Sequence, residues 1–261
     1  MSSSDILLRL AIALPVGLVF GSFLTVAIHR VQAGGSLVRP RSRCPSCGTQ
    51  LRAVDSVPLI SWIVLRGRCR RCGARIPAVY PLMELACGGL FVAVALVYED
   101  PWQAVLLAPF LALLVAISVI DLRHYRIPNR LVYPAVLLSG AYVVVGDLAG
   151  GPLSATGAGV GMVAYGVGLL IVALIAPTGM GMGDVKLAGL IGLVLGAVDL
   201  PLVAVAAGAG ILLGGVGAIV ALLLGAGRKT RIPYGPFMAA GAAVAVFVGD
   251  GIVDAYLNLL A

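Results

Sequence analysis

Eight apolar runs, each close to the length of a bilayer crossing, govern what this chain can fold into. A helix needs roughly 20 apolar residues to cross the hydrocarbon core. Stretches bounded by charge, proline or glycine occur at 6–28, 80–98, 101–120, 131–147, 156–176, 185–199, 200–225 and 237–258. The sixth is short and glycine-interrupted, and it joins the seventh through Asp199-Leu200-Pro201. A soluble domain carries about 25% charged residues. Here 11% of 261 residues are charged and 61% are apolar, which excludes both a water-soluble globule and a disordered chain. The predicted fold is an all-α polytopic membrane protein with about eight transmembrane helices. The first run opens beside Asp5 and Arg9, without a basic n-region or a clean cleavage site. It is expected to be a retained span rather than a removed signal peptide.

Charge gives the expected orientation. With the N-terminus outside, segments 29–79, 121–130, 177–184 and 226–236 face the cytosol, and 17 of the 18 Lys and Arg residues fall in or beside them. Arg9 alone is misplaced, and Asp5, Glu99, Asp100, Asp147, Asp199, Asp250 and Asp254 lie toward the outer side. This is the positive-inside bias. It accounts for the net charge of +7 without nucleic acid. The expected organisation is a first helix over 1–28, a cytosolic loop over 29–79 and a membrane core over 80–261. Gly17/Gly21, Gly157/Gly161, Gly192/Gly196 and Gly210/Gly214 have the GxxxG spacing. They read as helix-packing positions rather than as a dimer signal.

Within the first loop, Cys44-Pro-Ser-Cys47 and Cys69-Arg-Arg-Cys72 are separated by 21 residues, and each pair is followed by a glycine, Gly48 and Gly73. Two such knuckles bring together four thiolates, which close a tetrahedral zinc site with no open position, so the metal is structural. A disulfide does not persist on the reducing side of the membrane. Cys87, inside the second span, reads as a small packing residue. Ten arginines between Arg30 and Arg75 face anionic lipid headgroups. Base-stacking aromatics are missing there, and the short apolar stretch around Trp62 is suited to lie against the membrane.

Acids inside spans are costly and mark function. Asp121 ends the third span, and Asp184 opens the sixth within Gly181-Met182-Gly183-Asp184. The topology puts both at one interface. Two carboxylates sharing a proton let one activate water while the other polarises a peptide carbonyl, which is aspartic proteolysis. Gly181 and Gly183 let a substrate backbone come close. Asp184 at a helix N-terminus is expected to be the resting base and Asp121 at a C-terminus the resting acid. Glu84 is a third buried polar group or an interfacial one, Asp55 an ordinary loop acid, and His29 and His124 face headgroups. Lys186 is expected to point to the cytosol.

The order of motifs resembles the type IV prepilin peptidases. It runs from Gly21-Ser22-Phe23-Leu24-Thr25 and Arg41-Ser42-Arg43-Cys44-Pro45 through Val57-Pro58-Leu59-Ile60-Ser61-Trp62, Gly67-Arg68-Cys69 and Tyr80-Pro81…Glu84-Leu85. It continues with Asp121…Ile127-Pro128-Asn129, Gly181-Met182-Gly183-Asp184 and Ile232-Pro233-Tyr234-Gly235-Pro236-Phe237. The resemblance implies a GxGD aspartic endopeptidase of the bacterial inner membrane, with Asp121 and Asp184 as the catalytic pair. Such enzymes cut the basic leader from prepilins and pseudopilins at the cytosolic face. It also implies N-methylation of the new N-terminus from S-adenosylmethionine. Thr25 stands where the family usually has Asn, in a region the family associates with methylation. Two other functions compete: a proton-coupled transporter, whose acids belong near the midplane, and a membrane-tethered zinc-loop binding module.

Overall fold

The computed structural model describes residues 3–32, 42–175, 180–225, 227 and 232–260. Arg39, Arg41, Arg228, Lys229 and Arg231, used in the charge argument, lie outside the described residues. The chain forms two compact units, residues 1–97 and 98–261. The sequence reading drew its second boundary earlier, at 79/80.

The first unit pairs helix α1 (Ser3–Gln32) with α3 (Val79–Val97). Their backbones touch because α1 carries glycine where they meet. A Cβ at Gly17 would lie 2.8 Å from the Cys87 carbonyl, and one at Gly21 would lie 2.8 Å from the Glu84 Cα. Phe20 packs on Phe91 with ring centroids 5.7 Å apart, and Cys87 is fully buried. Between these helices lies the cysteine loop, with one short helix, α2 (Ile60–Val64).

The second unit contains α4 (Pro101–His124), α5 (Asn129–Leu148), α6 (Ala155–Ile175), α7 (Met182–Val198), α8 (Pro201–Leu223) and α9 (Gly235–Leu260). Asp100 caps α4 by accepting the Trp102 N–H at 2.7 Å, with Pro101 at the first helical position. Tyr125, in a left-handed conformation, stops α4 at its other end.

Seven of the described helices, all but α2 and α7, are long and apolar enough to cross a membrane. Helix α7 has 17 residues, at the short limit for a span. Every residue from Leu187 to Ala197 is buried. An apolar helix enclosed on all sides belongs to the interior of its bundle rather than to the lipid boundary. Its tightest partner is α6: a Cβ at Gly157 or Gly161 would overlap the carbonyls of Gly196 or Gly192, and the reverse also holds. The two GxxxG pairs therefore serve each other within one chain.

Gly161→Leu is expected to destroy this contact, since overpacking costs about 1–3 kcal/mol even where neighbours relax and here the neighbour is backbone. Gly168→Leu, on the same helix but with nothing within 4 Å of its Cβ position, is the control. The monodisperse peak in detergent gel filtration should be lost for the first variant and kept for the second.

Candidate active site

Four helix ends of the second unit converge: the C-terminus of α4 and the N-termini of α5, α7 and α9. Asp121, one turn from the end of α4, is 5% exposed. Its Oδ2 accepts the N–H of Gly235, the first residue of α9, at 3.0 Å. A side chain at Gly235 would meet that oxygen at 2.8 Å, so the approach requires glycine. Asp184, in the first turn of α7, reaches back so that its Oδ2 accepts the Gly181 N–H at 3.0 Å, half of a capping box. Each carboxylate thus spends one oxygen on a glycine N–H. Asp121 is close enough for its charge to bear on Asp184.

The helix-dipole argument for unequal acids loses its premise in this geometry. Asp121 lies at the C-terminus of its own helix, yet its carboxylate faces the N-terminus of α9. Both acids therefore sit in the positive end of a helix field. Gly183 also differs from its expected use: a Cβ there would come within 3.0 Å of the Ile127 Cβ, so its missing side chain seats the segment that follows Asp121. Lys186 is half-buried and donates to the Asn129 Oδ1 at 3.0 Å. Its ammonium stands 5.3 Å from the centre of the Tyr133 ring. It ties α7 to α5 rather than pointing away from the bundle.

Three residues that sequence reasoning left unassigned join this region. Gly235 and Tyr234 lie in Ile232-Pro233-Tyr234-Gly235-Pro236-Phe237, which carried resemblance but no role. Tyr165 of α6 has 5% exposure, and its hydroxyl has no hydrogen-bond partner. Both tyrosines lie within the field of Asp184. No local pattern marks Tyr165, which is one aromatic in an apolar span.

In the first unit the four cysteines form a single cluster, with sulfurs all within 4.8 Å of one another. Cys44 Sγ and Cys72 Sγ are 3.8 Å apart. A tetrahedron with Zn–S bonds of about 2.3 Å has edges of about 3.8 Å, so the four sulfurs fit zinc. The knuckles are copies of one another, offset by 25 positions. Gly48 N–H bonds to the Cys44 carbonyl and Gly73 N–H to that of Cys69. Leu51 pairs with Ser42 as Ile76 does with Gly67. The repeat Arg-x-Arg-Cys-x-x-Cys-Gly at 41–48 and 66–73 carries this signal in the sequence. Gly48 and Gly73 both have positive φ, +68° and +71°, as the knuckle turn demands. Hydrogen bonding to the Thr49 side chain and backbone holds the Cys47 thiol down at about 6, toward the thiolate that a metal binds.

Glu84 is buried, and its Oε2 accepts the N–H of Leu59 at 2.8 Å. Leu59 has φ +58° and ψ −51°, and the Ile60 N–H bonds to the Pro58 carbonyl at 2.6 Å. That is a γ-turn of the strained hand, held by a carboxylate from α3. Asp55 Oδ1 accepts two bonds from Arg70, at 2.8 and 2.9 Å. Both acids are committed inside the unit. Thr25 is buried and donates to the Gly21 carbonyl of its own helix, and the exposed His29 stacks on Tyr80. Glu84→Ala leaves a backbone N–H unmatched, worth about 1–3 kcal/mol. Faster proteolytic cutting near Leu59 is expected in that variant and not in Glu84→Gln.

Two family models match the chain: a bacterial peptidase A24 N-terminal domain over residues 16–98 and the type IV leader peptidase family over residues 108–226. The boundary between the compact units, 97/98, falls at the end of the first match. A prepilin leader peptidase/N-methyltransferase of Stutzerimonas stutzeri is 36% identical, over 94% of this chain and 93% of the relative. One of the same name from Bacillus subtilis strain 168 is 32% identical, over 96% and 98%. A third, from Burkholderia pseudomallei strain 1026b, is 35% identical, over 93% and 86%. No solved structure gives a significant match.

Proposed function

Because the chain belongs to the type IV leader peptidase family, we propose that it cleaves the leader from prepilins or pseudopilins, with Asp121 and Asp184 as an aspartic catalytic pair. The observation that carries this reading is the pair of acids at one end of the helical bundle, each braced by a glycine N–H at a helix N-terminus. Two like charges in that setting share a proton, and the pair titrates as a unit. The ionised carboxylate takes a proton from water, and the resulting hydroxide adds to the scissile carbonyl. The protonated partner gives its proton to the carbonyl oxygen. Collapse of the tetrahedral intermediate breaks the C–N bond, and the leaving amine takes a proton from the pair. Gly181 keeps a side chain away from the Asp184 carboxylate, Gly183 lets Ile127 pack beside it, and Lys186 holds α7 against α5.

The substrate chemistry supports the same site. A prepilin is an apolar helix behind a basic leader, so its scissile bond waits at an interface. The positive-inside bias supports the cytosolic face of the bacterial inner membrane, with the N-terminus outside. The cysteine cluster is read as a structural zinc site, with all four coordination positions filled by protein. Zinc there would tie the two knuckles together and take no part in hydrolysis.

Methylation of the new N-terminus, with S-adenosylmethionine as methyl donor, is carried by the relatives' names. Thr25 spends its hydroxyl on Gly21 and Glu84 its carboxylate on Leu59. No described residue is assigned to that step.

The test is mass spectrometry of a synthetic prepilin peptide incubated with the detergent-purified protein and S-adenosylmethionine. Loss of the leader with one added methyl is the expected product. Cleavage without methylation would remove the second activity. An intact peptide, tried with several leaders and with zinc retained, would overturn the reading in favour of transport.

A further inference from the structure

Arg66, Arg68 and Arg75 line one cleft of about 400 Å³ with Trp62, Ile76 and Pro77. None of the three guanidinium groups has a hydrogen-bond or ion-pair partner among the described residues, whereas Arg70 nearby is held by Asp55. Arg68 and Arg75 face each other across an antiparallel bridge, an arrangement in which like charges repel. Trp62 forms a fixed wall. Its indole lies on Gly67, 3.0 Å from that residue's Cβ position, and its N–H donates to the Ile76 carbonyl at 3.3 Å. Three arginines against a rigid indole make a cradle for a phosphate, which guanidinium groups bind through paired hydrogen bonds.

The position of the cleft identifies the source of that phosphate. Its lining ends at Pro77-Ala78, and membrane-spanning α3 begins at Val79. The cleft is thereby held at headgroup depth. Beside it, α2 turns Ile60, Ile63 and Val64 outward, 61%, 66% and 67% exposed. Those three occupy one helix face and suit the boundary between headgroups and acyl chains. Nucleic acid is disfavoured because Trp62 is the one aromatic between residues 42 and 78, and stacking needs a series.

We propose that the Arg66–Arg68–Arg75 cleft binds the phosphodiester headgroup of an anionic phospholipid and seats the cysteine loop on the membrane. The proposal is independent of the reaction the chain performs. Bound lipid would also neutralise arginines that otherwise oppose a basic leader.

The test uses the full-length protein in detergent, titrated with phosphatidylglycerol or phosphatidylcholine and followed by native mass spectrometry. Phosphatidylglycerol is expected to be retained in preference to phosphatidylcholine. Arg66→Gln/Arg68→Gln/Arg75→Gln should weaken its retention at least about tenfold. Arg43→Gln/Arg52→Gln/Arg71→Gln, an equal loss of charge outside the cleft, should leave retention in place. Equal loss in both triple variants would mean a diffuse field and would overturn the site. So would equal binding of phosphatidylcholine, or displacement of the lipid by inorganic phosphate or a single-stranded oligonucleotide. A second measurement holds even if the first variant misfolds. Trp62 and Trp102 are the two tryptophans, so Trp102→Phe leaves Trp62 as the reporter. Its emission should shift with phosphatidylglycerol and not with phosphatidylcholine; no shift would sink the proposal.

Discussion

Asp121→Asn and Asp184→Asn should each lower the rate of leader cleavage about 10²–10⁴-fold, the usual contribution of a positioned acid or base. Asparagine keeps the size of the side chain and an acceptor oxygen. The bonds from Gly235 to residue 121 and from Gly181 to residue 184 can therefore persist, and the ends of α9 and α7 remain capped. What is lost is the shared proton. Since the two groups act as one device, the double variant should be little worse than either single one. Gel-filtration behaviour and metal content should match the parent protein. A single variant retaining a tenth or more of the parent rate would remove that aspartate from the chemistry and overturn the catalytic pair.

The second large effect concerns the cysteine cluster. One zinc per chain is expected by elemental analysis. Structural zinc contributes on the order of 10 kcal/mol to the folding of small modules. Residues 42–78 contain little else to hold them: one 3-10 turn over Ala53–Ser56, the five-residue α2, two knuckles, the Arg70–Asp55 pair and the bonds from Leu59 to Glu84 and from Trp62 to Ile76. Cys44→Ser or Cys72→Ser should release the metal and open the loop to proteolysis, while α4–α9, in the other compact unit, stay folded. Acid should act in the same direction, because protons compete with the metal for thiolates. Metal-free protein whose loop still resists protease would refute the structural role.

Much of this molecule was legible without coordinates. Span positions came within a few residues of the helices because hydropathy and chain-breaking residues are local properties. The cysteine pairs likewise announced their cluster, since ligand spacing and the following glycines are local too. Helix α7 was placed correctly along the chain, but its enclosure was invisible: an apolar helix facing lipid and one facing other helices have the same composition. The GxxxG spacings revealed that close packing would occur, not that Gly157 and Gly161 would receive Gly196 and Gly192.

The candidate site divides in the same way. The sequence by itself determined which acids lie near span ends, and in it the Gly-x-Gly before Asp184 read as room for a substrate backbone, whereas Gly183 seats Ile127. Only the tertiary structure decided what each group meets. Gly235, 114 positions from Asp121, brings it a helix N-terminus and cancels an asymmetry argued from α4 alone. Asn129 turns Lys186 inward, and the Leu59 N–H turns Glu84 into a brace for a strained turn. Hydrogen bonds are directional and short-ranged, so a polar side chain's role depends on which distant backbone arrives beside it. That arrival is set by how whole helices pack, and no window of sequence contains it.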